Sequence, residues 1–493
     1  MGTKIVNCST QTCTNNGGIL ILQYRINNLD TMTKQSTTSQ TDRLLEMIRL
    51  KQDMTLRQQL SLTAQLSLPA ILAQLSMIVM FFIDAAMVGH LGARQSAAIG
   101  LVETTTWLLG GLSSAVSMGF SVQVAHAIGA NDFDKARNVL RQSIVCALLW
   151  SVALSLVCVA IHSRLPYWLG GSPDIARDAS LYFLIVGCSG IFFQMEGLAG
   201  SMLKCAGNMK VPSTLNIAMC VLDVAFNYLF IYVLDMGVAG AAIGTGVAVL
   251  ITAALMLYFL TCRSQILGLK GRPGTFRPQA IVVKKAFSIG APMGLQHLLM
   301  GSANIVITLI VAPLGVVAIA ANSFAITVES LCYMPGFGIA EAATTLVGQC
   351  LGAGQKRLTK SFAHLAVKMG MVTMTVMGLL MWVFARELMQ IMSPVDDIIT
   401  LGAQVLRIEA WAEPMFAAAI VCNGIFVGAG DTLRPAAMSL TSMWLVRITL
   451  SALLAPAYGL QGVWIAMCIE LCFRGAIFLW RLATGAWLNR FKL

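Results

Sequence analysis

The sequence predicts an all-α polytopic membrane protein, with about twelve transmembrane helices in two six-helix lobes related by a pseudo-twofold axis along the membrane normal. Three observations predict it. Hydrophobic residues make up 57% of the 493-residue chain and charged residues only 11%, too little polar material to clothe a soluble core of that size. The apolar residues fall in continuous runs of about 20, the length that crosses a bilayer as a helix, rather than in the alternating pattern of a membrane barrel. The chain also repeats itself: Pro69 and Gly92 recur as Pro292 and Gly315, both 223 residues later (292 − 69 and 315 − 92).

Residues 1–60 are expected to form a polar tail, rich in Ser, Thr, Asn and Gln and without a signal-peptide core. Met32 is an alternative start, and Leu44 to Leu60 is patterned as an amphipathic helix for the inner membrane surface. The first lobe occupies 61–261, with apolar runs at 66–89, 97–122, 143–162, 181–203, 213–234 and 239–261. A basic cytoplasmic linker follows at 262–286, kept irregular by Gly271, Pro273, Gly274 and Pro278. The second lobe occupies 287–493, with runs at 287–311, 318–347, 362–384, 404–427, 436–454 and 463–481.

At the same shift, Ala97-Ala98 meets Ala320-Ala321, Gly129-Ala130 meets Gly352-Ala353, Ala206-Gly207 meets Ala429-Gly430 and Pro212 meets Pro435. Gly237-x-x-Gly240 meets Gly459-x-x-Gly462 after a slip of one. Chance matches of Leu or Val between apolar runs are common; registered Gly and Pro are not. Six helices per copy is an even number, so both copies enter the membrane from one side, as in transporters built of parallel repeats.

The net charge of +11 fits a membrane protein with positively charged inner loops and does not call for a nucleic-acid partner. With the N-terminus inside, sixteen Lys or Arg from Lys135 to Arg434 fall on inner connections, against Arg94, Arg164, Arg177 and Arg386 on outer ones. This places both termini in the cytoplasm, the chain in the plasma (inner) membrane, and the lipid bilayer as its surroundings. A monomer is expected. The 13 cysteines form no CxxC pair or Cys/His cluster and read as small core residues.

Ionisable residues inside apolar helices are expensive and therefore candidates for function. Asn216, Asp223 and Asn227 are spaced by seven and four, on one face of a helix. Counting from helix ends at about 1.5 Å per residue, Asp84, Asn227 and Thr245 lie at similar depth below the outer surface, with Asp223 one turn deeper. Two carboxylates with amide and hydroxyl oxygens suit Na⁺ or can hold a proton, so the cation-coupling candidates are Asp84, Asp223, Asn227 and Thr245. The repeat partner of Asp84 is Ile307, which assigns the coupling ion to the first lobe. Glu196, Glu409 and Glu413 are candidates for a cationic substrate, with Met77 and Met80 as an adaptable apolar wall. Glu409 and Glu413 are expected on one helical face ahead of Pro414, with Arg407 near enough to pair with one of them, while Glu470 and Arg474 are spaced to neutralise each other. The plainer reading of every such acid is a buried group satisfied by a neighbouring hydroxyl or Arg. No Walker A sequence, nucleophile elbow or zinc motif occurs, which argues against an enzyme and against any cofactor beyond a coupling ion.

Several of these residues fall into an order that resembles the multidrug and toxic compound extrusion (MATE) transporters over about 60–490. They are Pro69…Asp84-x-x-x-Val88-Gly89-x-Leu91-Gly92, Gly129-Ala130-Asn131, Leu222-Asp223, Gly240-Ala241-Ala242-x-x-Thr245, Pro335-x-x-Gly338 and Val347-Gly348-Gln349-x-x-Gly352-Ala353-Gly354. The resemblance implies an antiporter that expels amphipathic, often cationic small molecules while Na⁺ or H⁺ runs inward, by alternating access. It carries the coupling site of many prokaryotic relatives onto Asp84, Asp223 and Thr245. Relatives often have an Asn one turn before the second Asp; here that position is Met219, and Asn227 or Asn216 is left to take its place. The rival readings are a flippase for lipids or lipid-linked saccharides, which would want Lys and Arg in its cleft, and a membrane-embedded enzyme, which would want clustered His, Ser or metal ligands.

Overall fold

The computed structural model describes residues 39–489, and every regular element among them is helical. Most of the N-terminal tail, with Met32, lies outside the described residues. In the first lobe a short α1 (Gln40–Arg49) precedes α2 (Leu56–Gly89), α3 (Ala93–Gly129), α4 (Phe133–Ile161), the one-turn α5 (Leu165–Trp168), α6 (Pro173–Cys205), α7 (Lys210–Tyr228) and α8 (Gly237–Tyr258). The second lobe contains α9 (Ala280–Val311), α10 (Val316–Gly352), α11 (Lys356–Val383), α12 (Ala385–Met392), α13 (Asp396–Glu409), α14 (Glu413–Gly428), α15 (Leu433–Thr441) and α16 (Thr449–Thr484). Each lobe has its own core: Phe120, Leu140, Leu198 and Met256 meet in the first, and Ala321, Met389, Leu406 and Trp464 in the second.

Ten described helices are long and apolar enough to span a bilayer, and the bent pair α13 and α14 passes the same length and composition test when taken together. The longest of the ten, Leu433–Thr484, has 52 residues and would reach about 78 Å if straight, against a hydrocarbon core of about 30 Å. It is a hairpin. Gly459 breaks it with φ 58 and ψ −139, a conformation open chiefly to glycine, and the Ser442 hydroxyl donates to Glu470 Oε1 at 2.5 Å across the two arms. Gly237, its repeat partner, has φ 55 and makes the corresponding turn between α7 and α8. In both repeats the second Gly of the Gly-x-x-Gly pair lets the returning helix touch backbone: a Cβ at Gly240 would strike Phe230 O, and one at Gly462 would strike Leu454 O.

Two expectations about helices are corrected. Residues 404–427 are not one rod: α13 ends at Glu409, α14 begins at Glu413, and their axes differ by 61°, as Pro414 at the start of α14 cannot continue the preceding helix. Leu44 to Leu60 is likewise not one interfacial helix. α1 stops at Arg49, and α2 starts afresh at Leu56 behind a Thr55–Gln58 capping box, in which Thr55 N donates to Gln58 Oε1 at 2.9 Å. The apolar face of α1 is buried in protein rather than turned to lipid. Leu44, Leu45 and Ile48 pack with Leu62, Met209, Leu346 and Phe362, and Gln355 Nε2 donates to Ile48 O at 2.6 Å.

At the end of the bundle that carries the basic connections, the lobes are in contact through a crossing of α3 and α10 that obeys the internal repeat. A Cβ at Gly129 would strike the Gln349 carbonyl, and one at Gly352 would strike the His126 carbonyl. The side chains follow the same symmetry: His126 Nε2 bonds Gly428 O at 2.8 Å, and Gln349 Nε2 bonds Cys205 O at 2.8 Å. Both residues of each pair are related by the 223-residue shift. The linker between the lobes is tied to α4 at this end, with Arg141 Nη2 donating to Arg272 O at 2.9 Å and Gln279 N to Gln142 Oε1 at 2.9 Å.

Candidate functional site

The first lobe encloses a cavity of about 780 Å³, within the range of small-molecule sites. Its walls come from α2, α3, α4, α6, α7 and α8. One side is apolar and aromatic, with Met77, Met80, Phe81, Trp107 and Phe193; another is a bank of small hydroxyls that includes Ser113, Ser114, Ser117 and Ser155. Phe81 and Trp107 lie with ring centroids 5.3 Å apart. Four acids line it, Asp84, Glu103, Glu196 and Asp223, and among the described residues no Lys or Arg does.

Asp84, near the C-terminal end of α2, bonds to the polar stripe of α7 through Asn227. The Asn227 amide nitrogen bridges the two acids, donating to Asp84 Oδ1 at 3.0 Å and to Asp223 Oδ2 at 3.1 Å. Asp223 is 1% exposed and Asn227 2%. Thr245 on α8 lines the same cavity, and α8 can come close to α7 here because Gly244, beside it, has no side chain to strike Asn227 Oδ1. Asp223 Oδ1 and Asn227 Oδ1 are buried without a donor. Buried oxygens in want of a donor are what a proton or a small hard cation neutralises. Among the described residues no group of three or more His, Cys, Asp or Glu is spaced to hold a metal ion, so such a cation would depend on the Asn and Thr oxygens as much as on the carboxylates.

All four coupling candidates, with Glu196, Met77 and Met80, therefore line one cavity. Met219 packs against Ala248 and Val249, and Asn227 holds the acids from one turn beyond Asp223. The sequence reading missed how the other Asn is used. Turned so that its nitrogen donates, the Asn216 amide bonds Glu196 Oε1 at 3.0 Å and Pro212 O at 3.1 Å. Glu103 has a partner on its own helix: Trp107 Nε1 donates to Glu103 Oε1 at 3.3 Å, an i,i+4 contact on α3 that spacing alone could have suggested.

Glu409 and Glu413 lie elsewhere. They are buried in the second lobe, each 0% exposed, at the ends of two helices that meet at an angle rather than on one face. None of their four carboxylate oxygens has a hydrogen-bonding partner. Arg407 does not reach them: it is exposed, donates to Trp382 O at 3.4 Å and lies 6.0 Å over the Trp382 ring. Glu470 and Arg474 do pair, with Arg474 Nη2 2.6 Å from Glu470 Oε1.

The MatE family model matches residues 69–229 and again 292–453, once in each copy of the repeat. Over 413 residues the chain is 25% identical to a protein of Thermotoga maritima described as probable multidrug resistance protein NorM, covering 83% of this chain and 88% of that one. Over 436 residues it is 25% identical to multidrug resistance protein MdtK of Yersinia pseudotuberculosis, covering 85% of this chain and 93% of that one. In fold it is similar to a solved MOP superfamily transporter from Pyrococcus furiosus, with a TM-score of 0.83 at 19% identity, over 91% of this chain and 99% of that one.

Proposed function

The chain belongs to the MatE family, and from that premise we propose that it is a secondary antiporter of the plasma membrane. It exports amphipathic, cationic small molecules in exchange for Na⁺ or H⁺ moving inward, by alternating access. The observation that carries this reading is the acid pair bridged by Asn227 in the wall of a cavity that holds four carboxylates and no basic side chain. An organic cation is attracted to such a cavity, and its apolar body finds Met77, Met80, Phe81 and Trp107. A lipid-linked pyrophosphate would be repelled, which sets the flippase reading aside.

In this reading the end that carries the basic connections faces the cytoplasm, and the lobes are in contact there. Na⁺ or H⁺ reaches Asp84 and Asp223 from the outer side and neutralises the carboxylate whose Oδ1 lacks a donor, with Asn227 Oδ1 as a further oxygen ligand for Na⁺. The coupling needs only that ion and drug favour different states of the lobes. The ion and the drug share one cavity and one excess of negative charge, so each weakens the hold on the other.

The test is gradient-driven efflux of a fluorescent cation from vesicles carrying Asp84→Asn or Asp223→Asn, with the Na⁺ and pH gradients imposed separately. Both variants are expected to lose efflux by at least about tenfold, some 1.4 kcal/mol of coupling. Efflux at the wild-type rate in both would remove the acid pair from the mechanism.

A further inference from the structure

An ion pair joins the two lobes just beyond the inner end of the cavity. Lys204, in the last turn of α6, donates to both carboxylate oxygens of Glu341 on α10 at 2.8 Å, and Gln74 of α2 donates to the same carboxylate at 3.3 Å. Thr345 of α10 also bonds the Lys204 carbonyl at 3.2 Å. Glu196 stands eight residues before Lys204 on α6, two turns away on the same face. The position between them is Gly200, where a Cβ would stand 3.4 Å from Met256 Sδ and 3.9 Å from Glu196 Oε1. Helical side chains lean towards the helix N-terminus, so a Lys204 released from Glu341 has the Gly200 side of α6 as its natural direction. Glu196, with Gly197 and Ser201, also forms the part of the cavity nearest to Lys204.

We propose that Lys204 is a two-position switch, paired with Glu341 while the lobes touch at the basic end and with Glu196 when they part there. Parting pulls α6 from α10 and takes Glu341 out of reach. A lone ammonium in that setting is costly, and Glu196 is the acid on its own helix face, reached through the space over Gly200. A cationic substrate that takes Glu196 then displaces Lys204, which returns to Glu341 and closes the basic end. Loading thus drives the closure that commits the substrate to the far side. Lys204 touches no substrate; it is a positioning residue. The inference rests on the export reading above and adds to it the group that senses the loaded substrate.

The test uses the full-length protein in nanodiscs for binding of tetraphenylphosphonium, and in proteoliposomes for its efflux. In Glu341→Gln, Lys204 keeps Glu196 as its sole acid, and binding is expected to weaken by at least about tenfold. Adding Lys204→Met to Glu341→Gln removes the competitor and is expected to bring affinity back to within about threefold of wild type, while efflux stays lost because the lobes have no lock. Lys204→Met alone is expected to bind at least as tightly as wild type. Undiminished binding in Glu341→Gln, or a double variant that stays weak, overturns the switch, since a merely structural ion pair predicts no such rescue. A wild-type protein that neither binds tetraphenylphosphonium nor moves it under either gradient overturns the export reading itself; one that does both, with Glu341→Gln unchanged, overturns the switch alone.

Discussion

Asn227 is the residue on which the proposed coupling geometry turns, because one amide group holds two carboxylates that would otherwise repel each other. Asn227→Leu keeps the bulk and removes the donor. It is expected to reduce gradient-driven efflux by at least about tenfold, about 1.4 kcal/mol, with melting temperature little changed, whereas Met219→Leu, in an apolar setting beside Ala248 and Val249, should leave efflux near wild type. Efflux in proteoliposomes decides it, and an Asn227→Leu protein that transports normally would sink the bridging role. The convergence of Asp84, Asp223, Asn227 and Thr245 was legible in the sequence because helical rise and spacing fix both depth and face. What spacing could not give was which Asn serves which acid: Asn216 and Asn227 share a stripe, yet one turns to Glu196 on α6 and the other to Asp84 on α2. Glu409 and Glu413 look like a substrate pair from their i,i+4 spacing, but that inference assumes an unbroken helix between them.

At the scale of elements, Gly459 is a turn made by one backbone conformation inside what is otherwise continuous helix. Gly459→Ala is expected to cost about 1–3 kcal/mol, the penalty for an L side chain in a positive-φ, extended conformation that is essentially glycine's alone, and to lower the melting temperature of the purified protein. Gly301→Ala, in the middle of α9 where a Cβ meets nothing within 4 Å, should leave it unchanged or raise it, as alanine is the better helix former. Equal melting temperatures for the two variants would show that the hairpin does not depend on this φ. The existence of the spanning helices was plain from composition, since no other element satisfies its backbone in lipid. Their ends were not. α2 begins ten residues before the apolar run at 66–89, because the Thr55–Gln58 capping box starts the helix while its first turns still pack against protein.

The whole molecule is held at its basic end by a contact made twice, once by Gly129 over Gln349 and once by Gly352 over His126. Gly129→Leu and Gly352→Leu should therefore be alike: each forces the lobes apart at one of two equivalent seats. Both are expected to lose efflux by at least about tenfold and to speed amide hydrogen exchange over the last turns of α10, where local opening is read directly. Unaltered exchange in both would mean that the crossing can be spread without consequence. The duplication itself could be read from registered Gly and Pro, and with it the two lobes. The cross-lobe bonds from His126 and Gln349 could not, because a polar residue near a helix end has no visible partner until the second copy is folded against the first.

That arrangement bears on α1 in a way that concerns time rather than position. Ile48 takes its hydrogen bond from Gln355, 307 residues further along, and Leu44 and Leu45 share a cluster with Leu346 and Phe362. At synthesis rates of about 5–20 residues per second, roughly 15–60 s pass between the emergence of α1 and that of its partners. The earliest helix of the described chain thus waits for the fold to reach its second half, and its docking reports that both halves have arrived.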